Sequence, residues 1–579
     1  MNRRRVVLGP STETSSTIFL VLRRMRAPLI VLIVIFAVSV FGLTLIPGRD
    51  AAGHSVRMSV FDAFYFMSYT ATTIGYGELP HPFTAAQRMW VMFAIYLTVI
   101  GWAYGIGSLL TLVQDRTFRQ ALALQRFTRT VARLREPFLL MVGFGQTGRL
   151  LAERLDLIGR RLVVLDTASG NIDSLDIGAY HADVPALVAD VQDPRMLAVA
   201  GLEQPWCEGV LALTDDDETN LLVSMTAALV RPELPVVART VSPAIEHRML
   251  AVGSPVVVNP FDRFGDHVRL ALHAPASYRL MSWLMSGPDV ELPEPERPPT
   301  TGRWVVCGYG RFGRELVEDL REGGLELTVI DPHAREEPGF TLVVGDASDP
   351  DVLARAELAD AVGFVAGTAN DTTNLSLVAA ARRINPGLYV TARQNRPDNA
   401  PLFAAMEIDW LLVPAEVVTR EIYAQLSTPL LWRFLQDMPA QGDEWAARII
   451  DKLFDHCGTR LGTLWKVAFN PQDTPALLHW LNAGEARLGD LINDPYDRSR
   501  TLPAVPLLLL RGDDVTLGPD GDVTLAPGDQ ILFAGEPSAR RALLETMTDR
   551  TVSEYVLSGR VVPSGWLWQR MTGRRSAAR

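Results

Sequence analysis

Cysteine and lysine are almost missing from this chain. Of 579 residues, three are cysteine (Cys207, Cys307, Cys457) and two are lysine (Lys452, Lys466). The cysteines stand far apart, which excludes a disulfide framework and any Cys-type metal spacing and points to a reducing compartment. Long apolar runs are also few. Pro28–Ile46 and Met89–Val113 are uncharged, whereas "VPLLLLR" at 505–511 is too short to cross a bilayer. Neither run carries regularly spaced arginines, so a voltage sensor is not expected.

What is present divides the chain in two. The length implies three or four domains. A hydrophobic content of 48% and a mean hydropathy of +0.12 suit a small membrane part on a large soluble part. Residues 1–137 hold 15 Arg and 6 Asp/Glu, a net of +9. The whole chain carries −11, leaving −20 for residues 138–579 and excluding strong binding of the soluble part to nucleic acid. As helices the two apolar runs rise about 1.5 Å per residue, enough to span the hydrocarbon core. A signal peptide fits the first run badly, because the run is long and no A-x-A-like site follows. Arg3, Arg4, Arg5, Arg23, Arg24 and Arg26 precede the first run, and Arg116, Arg119, Arg126, Arg129, Arg133 and Arg135 follow the second. The positive-inside rule then puts both ends and the acidic region in the cytoplasm of a plasma-membrane protein.

Between the spans, "SVFDAFYFMSYTAT" at 59–72 is aromatic, apolar and about four helical turns long, the size of a re-entrant helix. "TTIGYGE" follows at once. Its glycines take positive φ at little cost, and a backbone of alternating sense turns successive carbonyls towards one axis, where they replace the water shell of a cation. The Thr73 hydroxyl adds one more oxygen. Thr73-Ile74-Gly75-Tyr76-Gly77 resembles the selectivity filter of potassium channels, and span, pore helix, filter and span in this order resemble the two-span members of that family. Glu78 departs from the Asp often found after the last glycine. The resemblance implies K⁺ at the backbone carbonyls of Thr73, Ile74, Gly75 and Tyr76. One chain supplies one filter strand, so a homotetramer in a lipid bilayer is expected. In the second span Gly101 and then Gly105 are candidates for a gating hinge; close helix packing explains small residues there equally well.

The soluble part is written twice. "FLLMVGFGQTGRLLAERL" at 138–155 and "WVVCGYGRFGRELVEDL" at 304–320 each place a G-x-G-x-x-G turn between a β-type run and an amphipathic helix. Gly143 and Gly308 stand 165 residues apart, as do Asp166 and Asp331. Smaller offsets pair Asp190 with Asp346, Asn220 with Asn374 and Arg239 with Arg393. Such a period is domain duplication. The glycines Gly143, Gly145, Gly148 and Gly308, Gly310, Gly313 allow a tight turn and close approach of a pyrophosphate to a helix N-terminus. The acid about 20 residues on, Asp166 or Asp331, accepts from ribose hydroxyls. Arg311 in the second turn is placed to pair with phosphate, where the first turn has Gln146. An empty Rossmann-shaped domain is the alternative for either copy.

Spans, filter and two such domains together resemble prokaryotic potassium channels with tandem RCK domains, also called TrkA-N or KTN domains, over about residues 28–550. The resemblance implies an α-helical pore module, two α/β Rossmann-like RCK domains and a small α+β C-terminal lobe. It also implies an adenine nucleotide, NAD(H) or ADP/ATP, at the glycine turns, with Asp190 and Asp346 beside the adenine. The expected division is a cytoplasmic segment 1–27, pore 28–114, basic helical linker 115–136, RCK1 137–290, RCK2 core and crossover helices 300–450, RCK2 lobe 451–550 and tail 551–579. Residues 261–287 and 415–436 correspond to the crossover helices that pair RCK domains, and copy one lacks a lobe of its own. "DDDE" at 215–218 has two readings: a Ca²⁺ site, as some RCK domains have, or the acidic start of a helix, which the helix dipole favours. The tail "SGWLWQRMTGRR" has two readings as well, membrane contact or packing. The function expected is a ligand-gated potassium channel and not an enzyme. The alternatives are a membrane-anchored NAD-dependent oxidoreductase, for which none of the nine His or two Lys stands at a catalytic spacing, and a regulatory subunit of a separate K⁺ transporter.

Overall fold

The computed structural model describes residues 14–49, 54–78, 81–178, 180–253, 255–295 and 297–561. Arg3, Arg4, Arg5 and the segment "SGWLWQRMTGRR" lie outside the described residues. The chain divides into two compact units, residues 1–136 with 185–206 and residues 137–184 with 207–579.

The first unit opens with α1 (Thr14–Leu45), the hairpin β1 (Pro47–Arg49) and β2 (Ser55–Arg57), α2 (Val60–Ala71), α3 (Ala85–Gln114) and α4 (Arg116–Arg133). Helix α1 starts well before the apolar run and keeps Pro28 in its interior. Proline removes one N–H and bends a helix without ending it when both flanks stay helical. Met25–Leu45 and Ala85–Gln114 are long and apolar enough to cross a membrane. Their apolar surface points outward, with Ile33 66%, Phe41 64% and Ile100 64% exposed. A water-soluble bundle would bury that surface. Trp90 of α3 packs its ring on Gly42 of α1 and donates from Nε1 to the Ser39 carbonyl at 3.0 Å. Helix α2 is the short helix expected from 59–72. Ser59 caps it, accepting from Asp62 N–H at 3.1 Å, and Ala63, Phe66 and Met67 pack on Val40 and Leu43 of α1. Asp115 caps α4 by accepting from Thr117 and Phe118 N–H, so the basic linker is helical.

The second unit holds both copies. Copy one runs β3 (Phe138–Val142), α5 (Gln146–Leu157), β4 (Arg161–Asp166) and α6 (Ser169–Ile177). Next come β5 (Ala186–Val188) and α7 (Pro194–Val199), which belong to the first unit. The copy closes with β6 (Cys207–Ala212), α8 (Asp217–Val230), β7 (Val236–Arg239), α9 (Pro243–Val252) and β8 (Val256–Val258). Strand β3 pairs in parallel with β4 on one side and β6 on the other, and the ladder continues through β7 to β8. Copy two has β9 (Arg303–Cys307), α12 (Arg311–Glu322), β10 (Glu326–Asp331), β11 (Thr341–Val344), α13 (Pro350–Arg355), β12 (Gly363–Ala366), α14 (Asp371–Ile384), β13 (Tyr389–Arg393), α15 (Ala400–Ala404) and β14 (Trp410–Leu412). Its sheet is wholly parallel in the order β11-β10-β9-β12-β13-β14, the doubly wound dinucleotide-binding order with its switch point between β9 and β12.

Each copy ends in two helices: α10 (Pro260–His273) and α11 (Pro275–Met285) after copy one, α16 (Pro414–Ser427) and α17 (Pro429–Asp437) after copy two. These fill the expected crossover segments, each pair broken where a proline forbids a continuous helix. The helices are exchanged: α10 packs on α12, and α16 packs on α5. One core runs through the exchange and into the lobe, with Trp283, Trp304, Phe312 and Phe434 fully buried. The lobe is an antiparallel sheet, β15 (Thr463–Ala468), β16 (Ala504–Arg511), β17 (Asp514–Leu517) and β18 (Gln530–Gly535), in the order β15-β18-β16-β17. The expected boundary at 450/451 falls inside α18 (Asp443–Cys457), whose apolar side, with Ile449, Ile450 and Leu453, packs without interruption until Gly458 ends it at φ 74°.

Candidate functional site

The first candidate site is the segment after α2. Thr73 N–H donates to the Thr70 carbonyl at 3.1 Å, and the Tyr69 carbonyl accepts Ile74 N–H at 2.9 Å and Gly75 N–H at 3.3 Å. The chain then leaves the helix with alternating sense: Thr73, Gly75 and Gly77 have φ of 64°, 68° and 100°, while Ile74 and Tyr76 do not take positive φ. A left-handed backbone is cheap for glycine and costs about 1–2 kcal/mol for a residue such as Thr73. Alternate left-handed residues turn successive carbonyls the same way. Within the chain nothing lies within 4 Å of where a Cβ of Gly75 or Gly77 would stand, and Ile74 and Tyr76 are exposed.

Sequence reasoning missed two residues here. The Tyr69 hydroxyl donates to the Gly77 carbonyl at 2.6 Å. Arg88 donates to both oxygens of Glu78 at 2.8 and 3.1 Å, and Phe83 N–H donates to the same carboxylate at 2.8 Å. Tyr69 is one of four hydroxyl-bearing residues of α2, with Tyr65, Ser68 and Thr70, so nothing in the sequence singles it out. Further along α3, a Cβ on Gly101 would meet Ile35 at 2.9 Å, and one on Gly105 would meet Leu32 at 3.3 Å. Both glycines thus lie where α3 packs closely on α1.

The second candidate site is the pair of glycine turns. Gly143 and Gly308 have φ of 96° and 95°. A Cβ on Gly148 or Gly313 would run into the carbonyl oxygen of Gly143 or Gly308, whereas Gly145 and Gly310 face open space. This is the division of labour a pyrophosphate turn requires: one glycine for the bend, one for ligand approach, one for helix contact. Asp166 ends β4 and accepts Phe144 N–H at 2.6 Å and Ala168 N–H at 2.7 Å. Asp331 ends β10 and accepts Tyr309 N–H at 2.8 Å and His333 N–H at 2.8 Å. Each acid thus fixes its own turn, and ribose hydroxyls would share lone pairs with main-chain N–H. Asp190 and Asp346 each form a short turn, accepting Gln192 N–H at 3.0 Å and Ser348 N–H at 2.9 Å.

The duplication extends to single hydrogen bonds. Asn220 is fully buried, accepts from Thr214 N–H and Oγ1, and donates to the carbonyls of Thr214 and Arg239. Asn374 does the same with Thr368 and Arg393. Arg311 is exposed in the second turn, 3.9 Å from Asp217 of copy one. Arg393 lies over Phe261 at 4.7 Å and Phe312 at 5.7 Å, and burial pushes it down to about 10. The acidic run starts α8: Asp216 caps the helix, Asp217 accepts Val241 N–H, Asp215 pairs with Arg239 and Glu218 with Arg248. Among the described residues no group of three or more His, Cys, Asp or Glu could hold a metal ion, so the Ca²⁺ reading of this run finds no support.

Both segments lie within regions that match known protein families. The Ion channel family matches residues 29–115, and the TrkA-N domain family matches residues 139–260 and 304–414. Potassium channel protein 1 of Methanocaldococcus jannaschii is 24% identical over 152 residues, covering 25% of this chain and 46% of that protein. A Trk system potassium uptake protein TrkA homolog of Pyrococcus horikoshii is 27% identical over 151 residues, 24% of this chain and 65% of that protein. Each match thus spans less than two thirds of the relative's length. A solved structure of the GsuK channel bound to NAD aligns with 92% of this chain and 99% of its own, at TM-score 0.42 and 15% identity.

Proposed function

We propose, from the premise that the chain belongs to the two-span channels carrying tandem TrkA-N (RCK) domains, that it is the subunit of a potassium-selective channel opened or closed by a cytoplasmic adenine nucleotide. The observation that carries the reading is the alternating backbone at Thr73, Gly75 and Gly77, set between two spanning helices and fed by a short helix. Carbonyls of Thr73, Ile74, Gly75 and Tyr76 from four chains would surround K⁺ and replace its water. The C-terminal end of α2, where a helix carries partial negative charge, leads directly into this strand and favours a cation there. The exposed Ile74 and Tyr76 and the open space at Gly75 and Gly77 fit a strand completed by other copies. The findings point to a channel rather than an enzyme.

In this reading the RCK domains form a cytoplasmic ring beneath a plasma-membrane pore. NAD(H), ADP or ATP binds at Gly143, Gly145, Gly148, Asp166 and Asp190, or at Gly308, Gly310, Arg311, Gly313, Asp331 and Asp346. Binding shifts gating by the ligand's differential affinity for two ring shapes, through α4 to α3, with Gly101 or Gly105 as the bending point. The test is ion flux in vesicles holding the full-length protein. Potassium should pass far faster than sodium, Gly75→Ala should abolish flux while the protein elutes as the wild type does, and Asp331→Ala should weaken the response to added nucleotide. Equal passage of sodium and potassium refutes the pore; normal flux through Gly75→Ala refutes the filter.

A further inference from the structure

We propose that the contact between α5 and α16 is a binding site for a small inorganic oxyanion of the phosphate type, held between Arg154 and Arg420. The two helices pack directly on each other. Arg154 Nη1 and Arg420 Nε are both buried there and meet no hydrogen-bond partner among the described residues. The nearby acids are engaged elsewhere. Glu416 accepts from Arg420 Nη2 at 3.1 Å, and Glu421, on the α10 side of α16, stands 3.1 Å from Arg263 Nε. Buried N–H groups are rarely left without an acceptor. A water molecule would meet that need without offsetting two like charges, whereas an anion does both. Guanidinium groups suit oxyanions because their N–H groups form a planar fork of charge-assisted donors. The Arg420 side chain is 36% exposed, so the site opens to solvent and an ion can enter.

The electrostatics of the junction agree. Burial, and after it Arg420, holds the Arg154 guanidinium below its usual range although Glu416 opposes the fall. His267 of α10 adds no charge, because burial, with Arg420 and Arg263, pushes it down to about 4. The duplication supplies a comparison within the chain. Asp319 of α12 corresponds to Arg154, and Asp266 of α10 corresponds to Arg420, as Pro260 does to Pro414 at the helix starts. Both arginines are thus acids in the other helix pair, which has no cationic counterpart of this site. The site is also separate from the first glycine turn. Arg154 stands eight residues beyond Gln146, the first residue of α5, about 12 Å along the helix. Free phosphate, rather than the phosphate of a nucleotide held at the turn, is therefore the occupant.

The test is thermal melting of the full-length protein in detergent, without nucleotide, as sodium phosphate replaces sodium chloride at constant ionic strength. The wild-type midpoint should rise and level off, as filling of a site requires. Exclusion of phosphate from the protein surface also raises stability, but without levelling off. Arg154→Met and Arg420→Met should each raise the half-saturating phosphate concentration tenfold or more. In chloride alone Arg154→Met should melt no lower than the wild type, because it removes an uncompensated buried charge. An arginine with a merely structural role would melt lower in both buffers when replaced, and that result overturns the proposal. Asp319→Asn should keep the wild-type phosphate response. If Arg154→Met does not assemble, Arg420→Met reads the same loss from a half-exposed position. A rise that never levels off, or an equal saturating rise in the wild type and an assembled variant, also overturns the proposal. Calorimetry should show equal nucleotide binding by Arg154→Met and the wild type. A fall in that binding would put Arg154 in the nucleotide site and refute a separate one.

Discussion

Replacing Glu421 by Gln should flatten the pH dependence of stability. Glu421 lies on α16 facing α10, 2% exposed, with its Oε1 3.1 Å from Arg263 Nε. Burial pushes its carboxyl from an ordinary 4.5 up to about 7; Arg263 opposes the rise, and Asp266 and Asp262 add to it. The folded value exceeds the unfolded one, so between these limits the folded protein keeps a proton that the unfolded chain releases. The contribution is complete below about pH 4.5 and lost as pH rises through about 7. A gap of about 2.5 pH units is worth about 3 kcal/mol at most, and roughly 2 kcal/mol after relaxation around a charged neighbour. Glutamine cannot ionise, and Arg263 keeps Asp266 at 3.4 Å, so the amide does not strand it. Thermal melts of the full-length protein in detergent, from pH 5 to 8, should show the wild type losing roughly 4–8 °C more than Glu421→Gln over that interval. Parallel curves would refute the reasoning, because they would mean that Glu421 titrates alike in the folded and unfolded chain.

Gly313→Ala should push α12 away from its turn, since the added methyl runs into the Gly308 carbonyl. Overpacking of this kind costs about 1–3 kcal/mol. Calorimetry should show adenine-nucleotide affinity falling tenfold or more, and unchanged affinity would exclude copy two as the binding turn. Asn374→Ala removes four hydrogen bonds from a fully buried side chain and strands the Thr368 N–H and the Arg393 carbonyl. At about 1–3 kcal/mol per stranded group, the loss should be about 3 kcal/mol. Asn220→Ala should match it if the duplication is also energetic, and a melt that moves for one variant and not the other would break that equivalence.

Sequence reading reached the elements whose signal is local. An aromatic run of about four turns became α2, and G-x-G-x-x-G with a later acid became two turns with the expected φ at Gly143 and Gly308. The pairing of Asn220 with Asn374 came out to the individual bond, because duplicated positions keep duplicated partners. Contacts between one element and the next were not legible. The hydroxyl of Tyr69 reaches Gly77 only through the turn between them, and Arg88 reaches Glu78 only when α3 stands beside the strand. The start of α1 was missed because Pro28 reads as a boundary in sequence and lies inside the helix. Likewise the apolar pattern of α18 carries no mark where a core domain hands over to its lobe.

The exchange of crossover helices gives the two copies unlike interfaces in spite of their common fold. On one side α5 meets α16, where Arg154 and Arg420 face each other with Glu416, and burial together with Arg420 holds the Arg154 guanidinium below its usual range. On the other side α12 meets α10, where Asp319 lies against Gly265 with Asp266, Asp262, Glu322 and Arg269 around it. There burial pushes Asp319 up to about 7 although Arg269 opposes the rise. Arg154 and Asp319 stand 165 residues apart and occupy corresponding places in their helices. Duplication has thus kept the geometry and reversed the charge. Protons relieve like-charge repulsion where the crowded groups are acids, so a fall of pH through about 7 relieves the acids around Asp319 and leaves the repulsion between Arg154 and Arg420 in place. Because α12 begins at the second glycine turn and α5 at the first, a nucleotide bound at either turn as proposed would act on a helix whose partner has its own electrostatic setting. Under the proposed function, the two copies would then differ in their response to one nucleotide through these helix contacts as well as through Gln146 and Arg311 in their turns.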